Sequence, residues 1–251
     1  MTFKREKLLD RFLFYMGIPL FAIYFFSMFV YPFIAAWGSW NYIQNVWDRW
    51  QSLNVGVLAF GASIIAFNIS RYKEARQRDR EFQAAIAFLP EALSELTLYF
   101  RVSAKVYESK WKEGSIGKLS ENLPLQPEGY RSVFGNCIRH ARPEVGEYLS
   151  RILTNLQIHH SRVNAATEEN DQGYNKEYIL SCLCRLGELQ ALVNPLFDFA
   201  RGIKEFDSAY PDIKAFRSAF SSMKITVENF QVEGGGNLET TLNRFIEKSG
   251  S

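Results

Sequence analysis

The sequence predicts an all-α membrane protein, in which an N-terminal two-helix transmembrane hairpin continues into a cytoplasmic α-helical domain. Charge distribution is the first reason: 22% of the 251 residues are charged, yet residues 12–47 and 51–70 contain no Asp, Glu, Lys or Arg. The second reason is the helical spacing of apolar residues after residue 70. Only Lys224–Val227 weakly suggests a strand. With 16 Gly, 8 Pro and 3 Cys, the chain is neither collagen-like nor a disulfide scaffold.

The first predicted span covers residues 13–36, after a basic N-terminus of residues 1–11, and belongs to a hairpin of residues 12–70. About 20 apolar residues suffice to cross a bilayer core of roughly 30 Å. The span is rich in aromatic side chains, and Pro19 and Pro32 each remove a helical hydrogen bond, so we expect a bend near either. Two alternatives fit the segment less well than an uncleaved membrane anchor. The core helix of a soluble protein would not need so long a charge-free run, and a cleaved signal peptide would have a shorter apolar region and a small-residue cleavage site.

The second predicted span covers residues 53–69 and is rich in small residues along one helical stripe. Small side chains let two helices approach closely in lipid, where van der Waals packing drives their association. We expect the stripe to pack against the first span of the same chain, and the alternative is self-association between protomers. Near the two ends, Asn54 and Asn68 can reach lipid headgroups. The stripe consists of Gly56, Ala59, Ser63, Ala66 and Ser70.

Basic residues flank the hairpin unevenly. Four precede the first span, the connecting loop of residues 37–52 has only Arg49, and five follow the second span. The positive-inside rule therefore predicts an inner-membrane protein with both termini in the cytoplasm. The five that follow the second span can also face anionic lipid headgroups. They are Arg71, Lys73, Arg76, Arg78 and Arg80.

The loop between the spans contains four of the five tryptophans of the chain. Three of them recur with Ile43 at helical spacing, so a helix here would present one aromatic face. Tryptophan prefers the membrane–water boundary, which favours an aromatic belt that fixes the depth of the hairpin. The alternative is an interfacial helix that disturbs the outer leaflet. The four residues are Trp37, Trp40, Trp47 and Trp50.

The predicted cytoplasmic domain, residues 71–251, is mildly acidic beyond its basic start. Residues 81–251 contain 19 basic and 22 acidic side chains, so a nucleic-acid partner is not indicated directly. Pro90 should end or bend the helix that continues from the second span. An internal boundary is expected near residues 113–129, which are rich in turn formers. Further helices are predicted at about residues 130–142, 144–166 and 176–203, after Pro211, and after the Gly234–Gly236 break, where Asn237 and Thr240 open the last one.

Reactive side chains form no convincing site in the sequence. The pairs considered are Cys182 with Cys184, His159 with His160, and Cys137 with His140. The first two pairs point to different sides of a helix, and no pair has the partners of a zinc site. Catalysis by the third pair would also need a carboxylate near His140 to orient it, and none is expected. Nucleotide-binding and hydrolase motifs are absent from the sequence, so we predict a non-enzyme without catalytic, cofactor or metal site.

Residues 1–112 resemble small bacterial two-span effectors of anti-phage systems, including those of retrons. The resemblance lies in the order of parts: basic N-terminus, aromatic span, short outer loop, small-residue span, the basic stretch Arg71–Arg80, then helices. It assigns no role to single residues. It implies an effector that partners keep inactive and that damages the membrane when it is released.

Two functions follow as expectations. The first is a toxin-like, oligomeric effector of abortive infection that perturbs the inner membrane. The second is a membrane-tethered binding or scaffold module that regulates a cytosolic or membrane partner, since helical domains commonly bind through apolar grooves. Membrane lipids, other copies of the chain and a protein bound by the helical domain are the partners expected.

Overall fold

The structure, a computed structural model of the chain, describes residues 15–113, 125–165, 176–232 and 237–249. In these ranges the chain is helical and forms no strand, with one isolated bridge between Gln231 and Asn237. The all-α prediction is therefore confirmed, and the weak strand candidate at Lys224–Val227 is wrong. The basic N-terminus, most of the internal boundary near 113–129 and the Gly234–Gly236 break lie outside the described residues.

The chain divides into two compact units, Met1–Lys73 and Glu74–Ser251. The first unit contains helix α1, Tyr15–Ala35. Within α1, Phe26–Val30 adopts a π-helical turn, and the turn ends two residues before Pro32. Since proline has no N–H, Pro32 cannot donate to the Met28 carbonyl, and a local change of helical register is the usual response. The π-helical turn lies beside Pro32, one of the two prolines at which a bend was expected, whereas the chain around Pro19 remains α-helical.

A tight turn connects α1 to a short second helix. Trp37 and Gly38 both adopt left-handed backbone angles, with φ of 44° and 87°, and they reverse the chain within four residues. Helix α2, Trp40–Arg49, follows, and after Trp50 the chain enters helix α3, Gln51–Ile86. At 1.5 Å per residue, 36 residues extend for about 54 Å, which is longer than a bilayer core requires.

The second unit contains the end of α3 and all later helices. A turn at Ala87–Phe88 separates α3 from α4, so the break predicted at Pro90 is confirmed. Pro90 is the second residue of α4, a position where its missing N–H costs nothing. The remaining α-helices are α4 Leu89–Glu113, α5 Tyr130–His140, α6 Pro143–Ala165, α7 Lys176–Ala200, α8 Ile213–Ser222 and α9 Leu238–Ser249, with a short 3-10 helix, Val227–Asn229, before α9.

Helix α7 forms the centre of the second unit. It packs against α4, α6, α8 and α9, and its residues between Ile179 and Val193 are almost all buried. A helix buried on every side needs apolar or small residues all round rather than one apolar stripe. Gly187 allows the closest approach, because a Cβ there would lie 2.8 Å from the Phe220 ring of α8.

Side-chain caps fix the starts of the last two helices. The Asp212 carboxylate accepts a hydrogen bond from the Ala215 amide at 2.8 Å and caps α8. Asn237 accepts from the Thr240 amide at 2.7 Å, while the Thr240 hydroxyl accepts from the Asn237 amide at 3.1 Å. This reciprocal pair satisfies two amides that the helix itself leaves unpaired. The helix start predicted at Asn237 is confirmed.

Candidate membrane-inserting hairpin

The two long helices of the hairpin expose their apolar side chains. By length and composition, α1 and α3 are each able to cross a membrane. In their most apolar 18-residue windows, only 11% of the α1 residues and none of the α3 residues are buried. The core helix of a soluble domain would be mostly buried. Such extensive apolar surface requires lipid or another protein to cover it.

Helix α3 contacts α1 through a polar hydrogen bond. The Tyr24 hydroxyl donates to Asn54 Oδ1 at 2.7 Å. Asn54, Val57 and Gly61 are the residues of α3 between 53 and 70 that are partly buried, and their spacing places them on one face. Asn54 therefore has a partner within the hairpin, in contrast to the expected contact with headgroups. Sequence periodicity gives no signal for this bond, because it joins residues 30 positions apart.

The small-residue stripe lies on the opposite face of α3. At about 100° per residue, the stripe is centred roughly 170° from the face that contains Asn54, Val57 and Gly61. Its residues are exposed, and a Cβ added to Gly56 would meet nothing within 4 Å. The Ser63 hydroxyl donates to the Ala59 carbonyl in the same helix at 2.8 Å. Packing of the stripe against the first span of the same chain was therefore the wrong expectation.

The four loop tryptophans separate into two groups. Trp47 packs between Phe29 and Phe33 of α1, with ring centroids 6.0 and 6.3 Å away. Its indole N–H donates to the Met28 carbonyl at 3.0 Å. This is the carbonyl that Pro32 cannot pair. Trp47 therefore attaches α2 to α1, a role different from the interfacial belt predicted for it.

The other three tryptophans face outward. Trp37 is 95% exposed at the tip of the turn, and Trp40 and Trp50 are about half exposed. Trp40 also makes an edge contact with Trp47, with ring centroids 6.4 Å apart. An exposed indole on a tight, left-handed turn suits insertion among lipid headgroups.

The basic stretch after the second span is helical and exposed throughout. Arg71 places its guanidinium carbon 5.8 Å from the Phe67 ring centroid, the contact expected at an apolar-to-polar transition. At about 100° per residue, Lys73, Arg76 and Arg80 share one face of α3, and Arg71 and Arg78 share the opposite face. The stretch is Arg71, Lys73, Arg76, Arg78 and Arg80.

The three cysteines of the chain lie inside the second unit. All three cysteines are free and buried. Burial raises the pKa of Cys137 to about 11 and that of Cys184 to about 12, and it also raises the pKa of Cys182. A thiol with a raised pKa is a poor nucleophile and a poor ligand at neutral pH. Among the described residues, no cluster of His, Cys, Asp and Glu could hold a metal ion.

One sequence expectation about His140 was wrong. Its Nδ1 lies 2.9 Å from Glu81 Oε2, so a carboxylate does orient the ring. The carboxylate comes from α3, about 60 residues earlier in the chain, where sequence spacing gives no signal. The pair still provides no nucleophile, because Cys137 is fully buried with a raised pKa.

A buried polar cluster surrounds His159, which sequence reasoning treated only as one of two adjacent histidines. His159 lies between the rings of Tyr99 and Tyr107, at centroid distances of 5.8 and 6.2 Å. Burial, with the nearby charges of His160 and Arg162, lowers the pKa of His159 to about 4. In the part of the chain that the structure describes, His159 Nε2 has no hydrogen-bond partner.

The cavity beside this cluster is very small. Its volume is about 10 Å³, and Tyr107, His159, Cys182 and Glu188 are among the residues that line it. That volume admits one water molecule. The arrangement therefore fits a bridging water rather than a substrate.

Comparison with protein-family models, curated proteins and solved structures finds no match for this chain.

Proposed function

We propose that the protein is a membrane-anchored, non-enzymatic effector of a bacterial defence system that perturbs the inner membrane when its partners release it. In this proposal α1 and α3 span the inner membrane, with both termini in the cytoplasm. The uneven basic flanks support the orientation, and the order of parts in residues 1–112 supports the defence role.

The small-residue face of α3 is the observation that carries the proposal. It is exposed, and it points away from the face on which Asn54 contacts α1. In lipid, a face of this kind packs well only against another helix that can approach closely. A second copy of α3 offers the same surface, so we infer self-association through Gly56, Ala59, Ser63 and Ala66.

The outer helix supplies the perturbing element. Trp47 fixes α2 to α1, while Trp37, Trp40 and Trp50 face outward and can enter the interface. Assembly of several hairpins concentrates these indoles in one patch of the outer leaflet. An amphipathic aromatic surface at that depth disturbs lipid packing.

Expression of the chain alone in bacteria, with a voltage-sensitive dye to follow membrane potential, tests the proposal. We expect growth arrest and loss of potential. Ala59→Leu with Ser63→Leu should weaken both effects because the larger side chains hold the helices apart. Leu58→Phe is the matched control, since Leu58 is exposed on α3 about 120° from the centre of the stripe and its enlargement should keep full toxicity. Unchanged potential at high expression of the unmodified chain would reject the proposal.

A second candidate function is a membrane-tethered scaffold. Apolar side chains exposed on the second unit favour it, namely Phe88, Leu98 and Ile203, which are 62%, 59% and 64% exposed. Under this hypothesis, residues 71–251 alone should bind a cytosolic protein and leave growth unchanged. A pull-down that loses its captured protein when Leu98 is changed to Ser would favour this function, and a pull-down that recovers nothing would count against it.

A further inference from the structure

An open cleft in the second unit collects positive charge. It has a volume of about 580 Å³ and lies where the end of α3 meets the corner between α5 and α6. Three arginines from different parts of the chain line it: Arg78 on α3, Arg142 at the corner, and Arg151 on α6. Glu147 is the one acidic residue in the lining. Residues 81–251 are net acidic, so this concentration of cations departs from its surroundings.

Within the described part of the chain, two of the three arginines of the cleft have no internal partner for their charge. The side chains of Arg78 and Arg142 have no hydrogen-bond or ion-pair partner among the described residues. The guanidinium carbon of Arg151 lies 5.8 Å from the Tyr148 ring centroid, and its charge also acts on the Glu188 carboxyl. Three arginines that line one cleft, with Glu147 as the acidic residue of its wall, are suited to a multivalent anion.

The backbone adds to the positive potential of the cleft. Helix α6 begins at Pro143, which lines the cleft, so the partly positive end of its dipole opens on the same space. Gly146 forms part of the wall, is buried, and donates its amide to the Arg142 carbonyl at 2.9 Å. Ser150 follows on the same face of α6 and offers a hydroxyl group, whereas the Thr154 hydroxyl donates to the Ser150 carbonyl at 3.0 Å.

We propose that this cleft binds an organic phosphate, either a soluble phosphorylated molecule or the headgroup of an anionic lipid. Guanidinium groups pair with phosphate oxygens in a bidentate manner, and helix N-termini favour phosphate. The volume lies in the range of small-molecule sites, about 300–1,000 Å³, and exceeds what inorganic phosphate needs. Ile138 and Ala141 give the cleft an apolar side for the organic part of the ligand.

A phosphate that pairs with both Arg78 and Arg142 would join α3 to the α5–α6 corner. His140 of α5 already binds Glu81 of α3 at 2.9 Å, so the ligand would reinforce an existing contact between the same helices. The site does not depend on the proposed function, because every residue that forms it lies in the second unit.

The test uses the purified full chain in a neutral detergent and measures the melting temperature with three probes. The probes are adenosine 5′-diphosphate, a short-chain phosphatidylglycerol and inorganic pyrophosphate. We expect the nucleotide, the lipid or both to raise the melting temperature more than pyrophosphate does. A shift with the nucleotide alone identifies a soluble ligand, and a shift with the lipid alone identifies a headgroup; either supports the site.

Substitutions in the cleft and next to it test whether the shift in melting temperature comes from binding there. Arg142→Gln with Arg151→Gln should weaken binding roughly tenfold or more, because each removes a charge-assisted contact. Ser150→Glu, which adds a carboxylate to the exposed wall, should do the same without removing an arginine. Arg139→Gln is the matched control, since Arg139 lies on α5 and does not line the cleft. No shift with either organic phosphate, or equal shifts in all four proteins, would overturn the proposal.

Discussion

The stability of the helical unit should decrease as the pH falls from about 6.5 to about 4, because His159 is buried in its neutral form. The side chain is 4% exposed and is held between two tyrosine rings of α4. Desolvation disfavours the charged imidazolium most strongly, and the neighbouring charges of His160 and Arg162 act in the same direction. The pKa in the folded state is therefore about 4, below the ordinary value of 6.5.

The direction of this pH dependence follows from the number of protons that the folded and unfolded states bind. Between these two pKa values the unfolded chain binds a proton that the folded protein excludes, so the free energy of unfolding rises with pH. Above pH 6.5 both states are neutral at His159 and the contribution is complete. The difference between the two pKa values corresponds to about 3 kcal/mol of stability, which is lost as the pH falls from 6.5 to about 4.

Urea unfolding of residues 74–251 at a series of pH values measures this loss. Trp111 is the one tryptophan of that segment, so its fluorescence reports the transition directly. His159→Leu should remove most of the dependence of the free energy of unfolding on pH between pH 4 and 6.5. The control, His140→Gln, should keep the part of this pH dependence that is due to His159. An equal slope in the unmodified protein and in His159→Leu would refute the assignment to this residue.

Three further perturbations test the packing. Gly187→Ala should destabilise the unit by about 1–3 kcal/mol through a clash with Phe220. Adding Phe220→Leu to the same chain should recover part of this loss. If urea unfolding shows that Gly187→Ala leaves the stability unchanged, the close approach of α7 and α8 is contradicted. Trp47→Phe keeps the ring contacts but removes the bond to the Met28 carbonyl, and should cost the hairpin about 1 kcal/mol in a detergent unfolding assay, so unchanged stability argues against that bond. Asp212→Ala removes the cap of α8 and should cost about 1 kcal/mol, while Asp212→Asn, which keeps an acceptor, should cost less; equal losses would deny a capping role.

Local chemistry explains the features that were predictable from the sequence. The two apolar runs predicted the two long helices, Pro90 placed the break after α3, and Asn237 with Thr240 placed the start of α9. Each of these depends on neighbours within a few residues, where helical propensity and capping act. The spacing of the aromatic residues in the loop was compatible with a helix without predicting one, and α2 is present there.

Contacts between distant segments were not predictable in the same way. The stripe of small residues was identified, but the face of α3 that meets α1 was not, because the hydrogen bond from Tyr24 to Asn54 has no local signature. The pairing of His140 with Glu81 and the attachment of Trp47 to Met28 were missed for the same reason. Helical period fixes which residues share a face and leaves open what that face contacts.

Cysteine labelling in intact bacteria tests the membrane hairpin most directly. The native cysteines are buried, so a membrane-impermeant maleimide should react mainly with an introduced thiol. We expect Ser39→Cys, in the turn between α1 and α2, to be labelled in intact cells, and Ser221→Cys, exposed on α8, to be labelled only after lysis. Protection of Ser39→Cys in intact cells, or labelling of Ser221→Cys before lysis, would contradict a hairpin with both termini in the cytoplasm.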